Sequence, residues 1–253
     1  MPVVLELVVY GVVAGGRFSS AMGTSNAGRA IGAPDPTIPA VTPRADTAIM
    51  LDLVLPLECG GCGRPSTRWC EPCAATLTVR ADEPHLVSPR LDPGVPVFSL
   101  GRYAGPRRRA ILGLKERGRT DLIVPLADAL GDGLAHLRAW GILDRPVTLV
   151  PAPTRRIAAR RRGGDPVTGI ARTASPDVVQ ALRSRALSRD SVGLSVPDRQ
   201  RNVANRIRLV RPVAGPVVLV DDIITTGATA TESVRVLQTA GAGVLAVLTL
   251  AHA

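Results

Sequence analysis

The stretch VVLVDDIITTGAT, residues 217–229, determines the fold that this sequence predicts. Its first four residues are apolar and largely β-branched, a pattern typical of a strand buried on both faces of a parallel sheet. Asp221 and Asp222 follow where that strand is expected to end, and open α/β sheets bind ligands at the carboxyl ends of their strands. Residues 225–229 then supply hydroxyls, backbone N–H groups and a glycine ahead of helical spacing. The stretch therefore predicts an anion site at a helix N-terminus.

The chemistry that this arrangement favours is binding of a sugar phosphate. Two carboxylates can accept hydrogen bonds from a vicinal diol, while the loop and the helix end hold a phosphate monoester. The simpler alternative is an ordinary strand–turn–helix, with the two acids as a polar break and a threonine as a cap. That alternative does not explain why both acids and the Thr-Thr-Gly-x-Thr set occur together.

Composition sets the limits for this interpretation. The 253 residues suffice for one α/β domain and a small appendage, and the 45% hydrophobic residues can form a core with little aromatic content. A net charge of +10 suits either a polyphosphate ligand or nucleic acid, although an aromatic share of 2% argues against a base-stacking platform. No apolar stretch reaches membrane-span length, and the opening residues lack a basic region before their apolar run. We therefore expect a cytoplasmic protein with no membrane partner.

Residues 1–49 differ from the rest of the chain. Most of this segment is Gly, Ala, Ser, Pro and Thr, which is typical of a disordered low-complexity extension. The alternative is that it precedes the true start, since Met50 begins the run MLDLVLPLECGGCG. Neither interpretation assigns a function to these residues.

Four cysteines follow in two closely spaced CxxC pairs. This spacing is typical of a zinc ribbon or knuckle, in which each pair gives two thiolates to a tetrahedral ion. Two disulfides or four free thiols are the alternatives, and disulfides are disfavoured in a chain without a secretory signal. We expect a structural Zn²⁺, because four sulfur ligands leave no open position for chemistry. Its ligands would be Cys59, Cys62, Cys70 and Cys73.

A basic segment follows a second predicted buried strand, residues 146–153. Arg155 and Arg156 come directly after it, where they would enter the same crevice as the acidic loop and contact phosphate. For residues 160–162, also arginines, ligand contact and a solvated helix face are equally good interpretations. Lys115 could likewise bind phosphate, but the preferred interpretation is that it is a solvated charge between two helices. Residues 199–205 are polar and fit either a mobile flap or a surface loop.

Residues 217–229 closely resemble the phosphoribosyl-pyrophosphate (PRPP) signature of type I phosphoribosyltransferases. Over about residues 50–251, the order of parts also resembles the ComF/GntX family of phosphoribosyltransferase-like proteins. The resemblance implies an α/β fold with a type I phosphoribosyltransferase (Rossmann-like) parallel sheet, helices on both faces and a small zinc-ribbon-like module before it. The corresponding domains would be 1–49, 50–80 and 95–253.

The resemblance also implies residue roles. Asp221 and Asp222 would hold the ribose hydroxyls, and the loop after them would hold the 5′-phosphate. The loop residues are Thr225, Thr226, Gly227, Ala228 and Thr229. The chain departs from the family pattern at residues 162–166 and at Ser191, where groups that could line an acceptor pocket are replaced.

Three functions follow from these expectations. The first is transfer of a phosphoribosyl group from PRPP, held with Mg²⁺, to a nitrogen acceptor, with Asp221 or Asp222 assisting electrostatically. The second is a non-catalytic PRPP- or nucleotide-binding protein that acts in DNA uptake or processing, with single-stranded DNA or a helicase as partner. The third is a purely structural zinc adaptor. A homo-oligomer is compatible with each of the three.

Overall fold

A five-stranded sheet forms the centre of the structure, a computed structural model that describes residues 57–154, 165–184 and 206–253. The strand order is β1-β2-β7-β6-β3, and four of these strands are parallel while β1 runs antiparallel to β2. A separate antiparallel pair is formed by β4 and β5. The strands are β1 (His85–Leu86), β2 (Val97–Ser99), β3 (Thr148–Pro151), β4 (Leu182–Ser184), β5 (Ile207–Leu209), β6 (Pro216–Ile224) and β7 (Gly243–His252).

Helices connect the strands, as parallel strands require crossover connections. They are α1 (Glu71–Leu77), α2 (Gly105–Arg117), a 3₁₀ turn (Thr120–Leu122), α3 (Ile123–Ala139), α4 (Pro166–Ala174) and α5 (Ala228–Thr239). The bounds of α2 follow from its sequence. Pro106 suits the first turn, where a helix needs no N–H, and Gly118 ends the helix with a φ of 67°.

The sheet is covered on both faces, which confirms the predicted fold class. On one face, Val218 and Val220 pack with residues of α1, α2, α3 and α4. On the other face, Val217 and Leu219 pack with α5 and with the β4–β5 pair. All four of these strand residues are at most 1% exposed. The apolar run at the start of residues 217–229 is thus a strand buried on both faces, as its sequence predicts.

Three elements differ from the sequence-based expectation. Strand β6 does not end at the acids but continues to Ile224, because β7 pairs with it as far as His252. Residues 178–185, which by their apolar content also predict a strand, form a shorter one, since only Leu182–Ser184 pairs with β5. The two-residue edge strand β1 carries too few residues for a periodic pattern and was not predicted.

Several predicted features lie outside the described residues. These are residues 1–49, Arg155 and Arg156, the arginines at 160–162, Ser191 and the polar segment 199–205. The division into domains 1–49, 50–80 and 95–253 stays a prediction.

Candidate functional site

The two acids lie at the carboxyl edge of the sheet, in the position that the sequence predicts for a ligand. Strand β3 ends at Pro151, which pairs with Val220, and the N–H of Ala152 donates to the Val220 carbonyl at 2.7 Å. Asp221 and Asp222 come directly after that last rung. β6 continues beyond its neighbour β3, so the acids lie past the end of that strand.

Asp222 forms an ion pair with Lys115 of α2, with Nζ and Oδ2 2.8 Å apart. Asp222 is 7% exposed, and the Lys115 side chain is 30% exposed. The preferred sequence interpretation of Lys115 as a solvated charge between helices is therefore wrong. Lys115 follows Ile111 and Leu114 at helical spacing, and both of these are buried, so the sheet-facing side of α2 brings it to the acid.

The carboxyl of Asp221 is in a different environment from that of Asp222. Its Oδ1 accepts a hydrogen bond from the backbone N–H of Asp222 at 2.8 Å. Burial raises the pKa of Asp221 well above its ordinary value, and the neighbouring charge of Asp222 raises it further, while Lys115 opposes the shift. Two adjacent carboxyls thus lie side by side, one paired with Lys115 and the other hydrogen-bonded to the backbone, where both can contact the hydroxyls of a ligand.

The loop after β6 leaves hydroxyls and N–H groups available at the start of α5. Thr225, Thr226 and Thr229 are exposed. The N-cap residue Gly227 supplies no capping side chain, although Thr226 Oγ1 accepts from the Ala228 N–H at a long 3.5 Å. Gly227 precedes the first helical residue with a φ of 85°, which glycine adopts without strain. This is the local geometry that an anion requires at a helix N-terminus.

A segment before β2 supports this loop, a contact that the sequence did not indicate. The N–H of Leu91 donates to the Thr226 carbonyl at 2.8 Å, and Thr231 Oγ1 donates to the Leu91 carbonyl at 3.2 Å. A Cβ on Gly227 would overlap that same carbonyl and contact Pro89 at 2.9 Å. Glycine is thus needed at position 227 for close approach as well as for its φ. No periodic pattern marks residues 89–91 in the sequence. Their role in supporting the loop after β6 is visible only from their contacts in the folded chain.

The two ends of the basic segment are joined by a hydrogen bond. Arg155 and Arg156 lie outside the described residues, but Thr154 Oγ1 donates to Asp165 Oδ1 at 2.6 Å. Asp165 also caps α4, since it accepts from the Val167 N–H at 3.3 Å and from Thr168 Oγ1 at 2.8 Å. Asp165 is one of the departures from the family pattern, and the structure gives it a capping function.

The four cysteines come together as their spacing predicts. Their Sγ atoms all lie within 4.8 Å of one another, with Cys70 Sγ 3.5 Å from Cys59 Sγ and 3.6 Å from Cys62 Sγ. A tetrahedral zinc thiolate site has Zn–S distances of about 2.3 Å, which corresponds to sulfur–sulfur separations of about 3.8 Å. The cluster therefore fits a tetrahedral metal ion, and Cys62 alone of the four is exposed.

The thiols of the cluster differ in acidity. Burial opposes ionisation of Cys59, but hydrogen bonds from the backbone N–H groups of Cys70, Cys62 and Gly61 outweigh it and lower its pKa to about 6. Burial raises the pKa of Cys73, and its three cysteine neighbours raise it further. A metal cation would favour the thiolate form of all four groups.

The cysteine cluster packs directly against α2 and the 3₁₀ turn. Arg119 Nη2 donates to the Glu58 carbonyl at 3.0 Å and also pairs with Asp121 at 2.6 Å. Arg109 Nη1 donates to the Gly61 carbonyl at 3.3 Å. A Cβ on Gly60 would overlap the Leu122 side chain, so the module contacts the turn closely.

Comparison with known proteins gives relatives but no family assignment. No protein-family model matches the chain. The chain is 29% identical over 196 residues to the "DNA utilization protein YhgH" of Escherichia coli K12, which covers 75% of this chain and 81% of that protein. It is 28% identical to the protein of the same name from Shigella flexneri, with the same shares covered.

Among the helices of the described ranges, none combines the length and the apolar character needed to span a membrane.

Proposed function

We propose that this protein binds PRPP or a closely related sugar phosphate and serves DNA uptake or processing. The observation that carries the first part is the convergence of three elements at one edge of the sheet. The acids of β6, the start of α5 and the residues that flank the basic segment all lie there. The relatives named for DNA utilisation support the second part.

In this proposal the ribose hydroxyls lie against Asp221 and Asp222. The carboxylate of Asp222 is held in place by Lys115 at 2.8 Å, so its position is fixed before the ligand arrives. Asp221 lies beside it with a raised pKa. A vicinal diol presents two adjacent O–H groups, which matches two adjacent carboxyls that can each accept a hydrogen bond.

The 5′-phosphate would bind at the loop of Thr225, Thr226, Gly227, Ala228 and Thr229. The loop offers exposed hydroxyls and the N–H groups of the first turn of α5. Arg155 and Arg156 follow Thr154 immediately and are proposed to contact the pyrophosphate. Mg²⁺ would accompany the ligand, because it bridges phosphate oxygens and needs few protein ligands.

A structural Zn²⁺ held by Cys59, Cys62, Cys70 and Cys73 is also part of the proposal. The cluster contacts α2 through Arg109 and the 3₁₀ turn through Gly60, and α2 carries Lys115. The metal would therefore stabilise the helix that orients Asp222. It has no role in the chemistry, because four thiolates complete its coordination.

Phosphoribosyl transfer is a second candidate, favoured by the acid pair itself. A carboxylate beside the ribose stabilises the positive charge that develops as pyrophosphate leaves and a nitrogen acceptor attacks. Asp222, held by its pair with Lys115, is suited to this role, with Asp221 beside it. The acceptor side carries replaced residues at 164–166 and 191, so binding without turnover is our main proposal.

The binding proposal is tested by calorimetric titration of PRPP with Mg²⁺ into the zinc-loaded protein. The comparison is a Thr226→Val/Thr229→Val double variant, which removes two loop hydroxyls at nearly constant volume. We expect saturable binding that weakens at least tenfold in the variant. Binding of equal strength in the variant would show that the phosphate is held elsewhere.

Turnover and DNA binding are tested separately on the same preparation. Release of pyrophosphate from PRPP in the presence of a panel of nitrogen bases would establish transfer, and no release with intact binding would support the non-catalytic function. Fluorescence anisotropy with a single-stranded oligonucleotide tests DNA contact. Binding through arginines should weaken steeply and linearly on a log–log plot as salt increases. An affinity independent of salt, or no binding at low salt, would contradict direct DNA contact and favour a protein partner.

A further inference from the structure

A cleft of about 550 Å³ lies between α1 and the loop that leads from β2 into α2. The functions proposed above do not use it. Its volume falls in the range of pockets that hold small organic ligands. Polar side chains supply much of its lining: Thr76, Thr78, Arg80, Glu83, Arg102 and Arg107. Three of these are arginines and one is acidic, so the lining carries an excess of positive charge.

Arg107 is the central residue of this cleft. It is 7% exposed, and its Nη1 donates to the Leu250 carbonyl at 3.1 Å. Within the described residues, no further hydrogen bond of this guanidinium is found, although the group has five N–H donors. Burial lowers the pKa of Arg107, and the charge of Glu83 opposes this. A nearly buried cation that lines a cavity with donors to spare is suited to an anionic ligand.

The start of α2 adds to the positive potential of the cleft. No side chain caps this helix, and its first turn holds no acid. Arg107, Arg108 and Arg109 instead place three cations at the end where the helix dipole is already positive. Arg108 stacks over the Tyr103 ring at 5.7 Å and Arg109 binds the Gly61 carbonyl, whereas Arg107 lines the cleft. An anion in the cleft would relieve this repulsion.

The acid in the lining offsets only part of this charge. Glu83 accepts from the Arg80 backbone N–H at 3.0 Å and from Arg80 Nη2 at 3.0 Å, and its charge also acts on Arg107. Arg80 is shared with Asp82, which lies 3.7 Å from its Nε and outside the lining. Arg102 is exposed, and no ion pair is found for it among the described residues. One carboxylate against three guanidiniums leaves the lining with a net positive charge.

We propose that this cleft binds the phosphate group of a small phosphate monoester. Arg107 forms the floor of the site, Arg102 forms its mouth, and the N-terminus of α2 adds its dipole. The volume leaves room for an organic body of nucleotide size beside the phosphate. Arg107 and Lys115 are eight residues apart on α2, or about 12 Å along the helix. The cleft is therefore separate from the acid pair, and its assignment does not depend on PRPP binding.

The test is calorimetric titration of adenosine 5′-monophosphate, with inorganic phosphate in parallel, into the full zinc-loaded chain. The variants are Arg102→Ala and Arg107→Gln, and the matched control is Arg117→Ala at the opposite end of the same helix. We expect at least a tenfold loss of nucleotide affinity in both cleft variants and no change in the control. Arg102 is exposed, so we expect Arg102→Ala to fold. It therefore tests the proposal even if Arg107→Gln does not fold.

A second comparison separates this site from the phosphate loop. In the Thr226→Val/Thr229→Val background, the Arg102-dependent nucleotide binding should persist. Binding that is lost in this background, or that is equal in Arg102→Ala and Arg117→Ala, would overturn the proposal. Equal affinities for inorganic phosphate and the nucleotide would overturn the assignment to an organic ester.

Discussion

The ion pair between Lys115 and Asp222 gives the sharpest prediction about the acid site. Replacing Lys115 with methionine keeps most of the side-chain length and removes the cation. At a separation of 2.8 Å and an effective dielectric constant of about 20, the gross Coulomb attraction is about 6 kcal/mol. Desolvation of both groups offsets most of it.

The net loss depends on how exposed the partners are. The Asp222 side chain is 10% exposed and would be left as a nearly buried charge, while the Lys115 side chain is 30% exposed and partly screened. Breaking a fully buried pair costs about 3–5 kcal/mol, so we expect Lys115→Met to lower the free energy of unfolding by about 2–3 kcal/mol. Asp222→Asn should restore part of that loss in the double variant.

The assay is a double-mutant cycle from urea unfolding curves at pH 7 and fixed zinc. The account predicts a coupling energy of about 1–2 kcal/mol between the two positions. Arg117→Met, an exposed change in the last turn of α2, serves as the control and should show no coupling with Asp222→Asn. A coupling energy below about 0.5 kcal/mol for Lys115 would refute the view that α2 fixes the position of this carboxylate.

Three further predictions concern single features. Because the pKa of Asp221 is raised in the folded state, its contribution to stability should fall as pH rises above 3.8. Asp221→Asn should therefore unfold at a higher urea concentration than the wild type at pH 7. The variant should also show a flatter dependence of the free energy of unfolding on pH. Gly227→Ala should cost about 2 kcal/mol or more by thermal unfolding, from its φ of 85° and the overlap with Leu91. Chelation should remove one zinc per chain, measured by metal analysis, and should make the cysteine thiols reactive. Cys59→Ser should purify with less than one zinc per chain. Each prediction is contradicted if its measured quantity (the urea midpoint, the thermal stability or the zinc content) is unchanged.

The features that the sequence predicts correctly are those encoded in local patterns. The apolar run before Asp221 requires a doubly buried strand, and paired CxxC spacing requires the sulfurs to converge. Both are confirmed. The residue roles at the acid pair and the phosphate loop stay predictions, since they concern a ligand rather than the fold.

The features that the sequence missed depend on contacts between distant segments. Lys115 has the same local pattern as a surface lysine, and only the packing of α2 on β6 places it beside Asp222. The support that Leu91 gives to Thr226 joins segments 135 positions apart and leaves no periodic trace. The sequence predicts that β6 ends at the acids, but pairing with β7, rather than the polarity of the acids, sets the length of the strand.

Calorimetric titration of PRPP with Mg²⁺ into the zinc-loaded protein and into an Asp221→Asn/Asp222→Asn double variant shows whether the acid pair binds a sugar phosphate. The amides remove the acceptor charge at almost unchanged size, and thermal unfolding of both proteins verifies that the variant is folded. The account predicts saturable binding with one PRPP per chain in the wild type and at least a hundredfold weaker binding in the variant. No binding by the folded wild-type protein, or equal binding by both proteins, would contradict a sugar-phosphate site at this edge of the sheet.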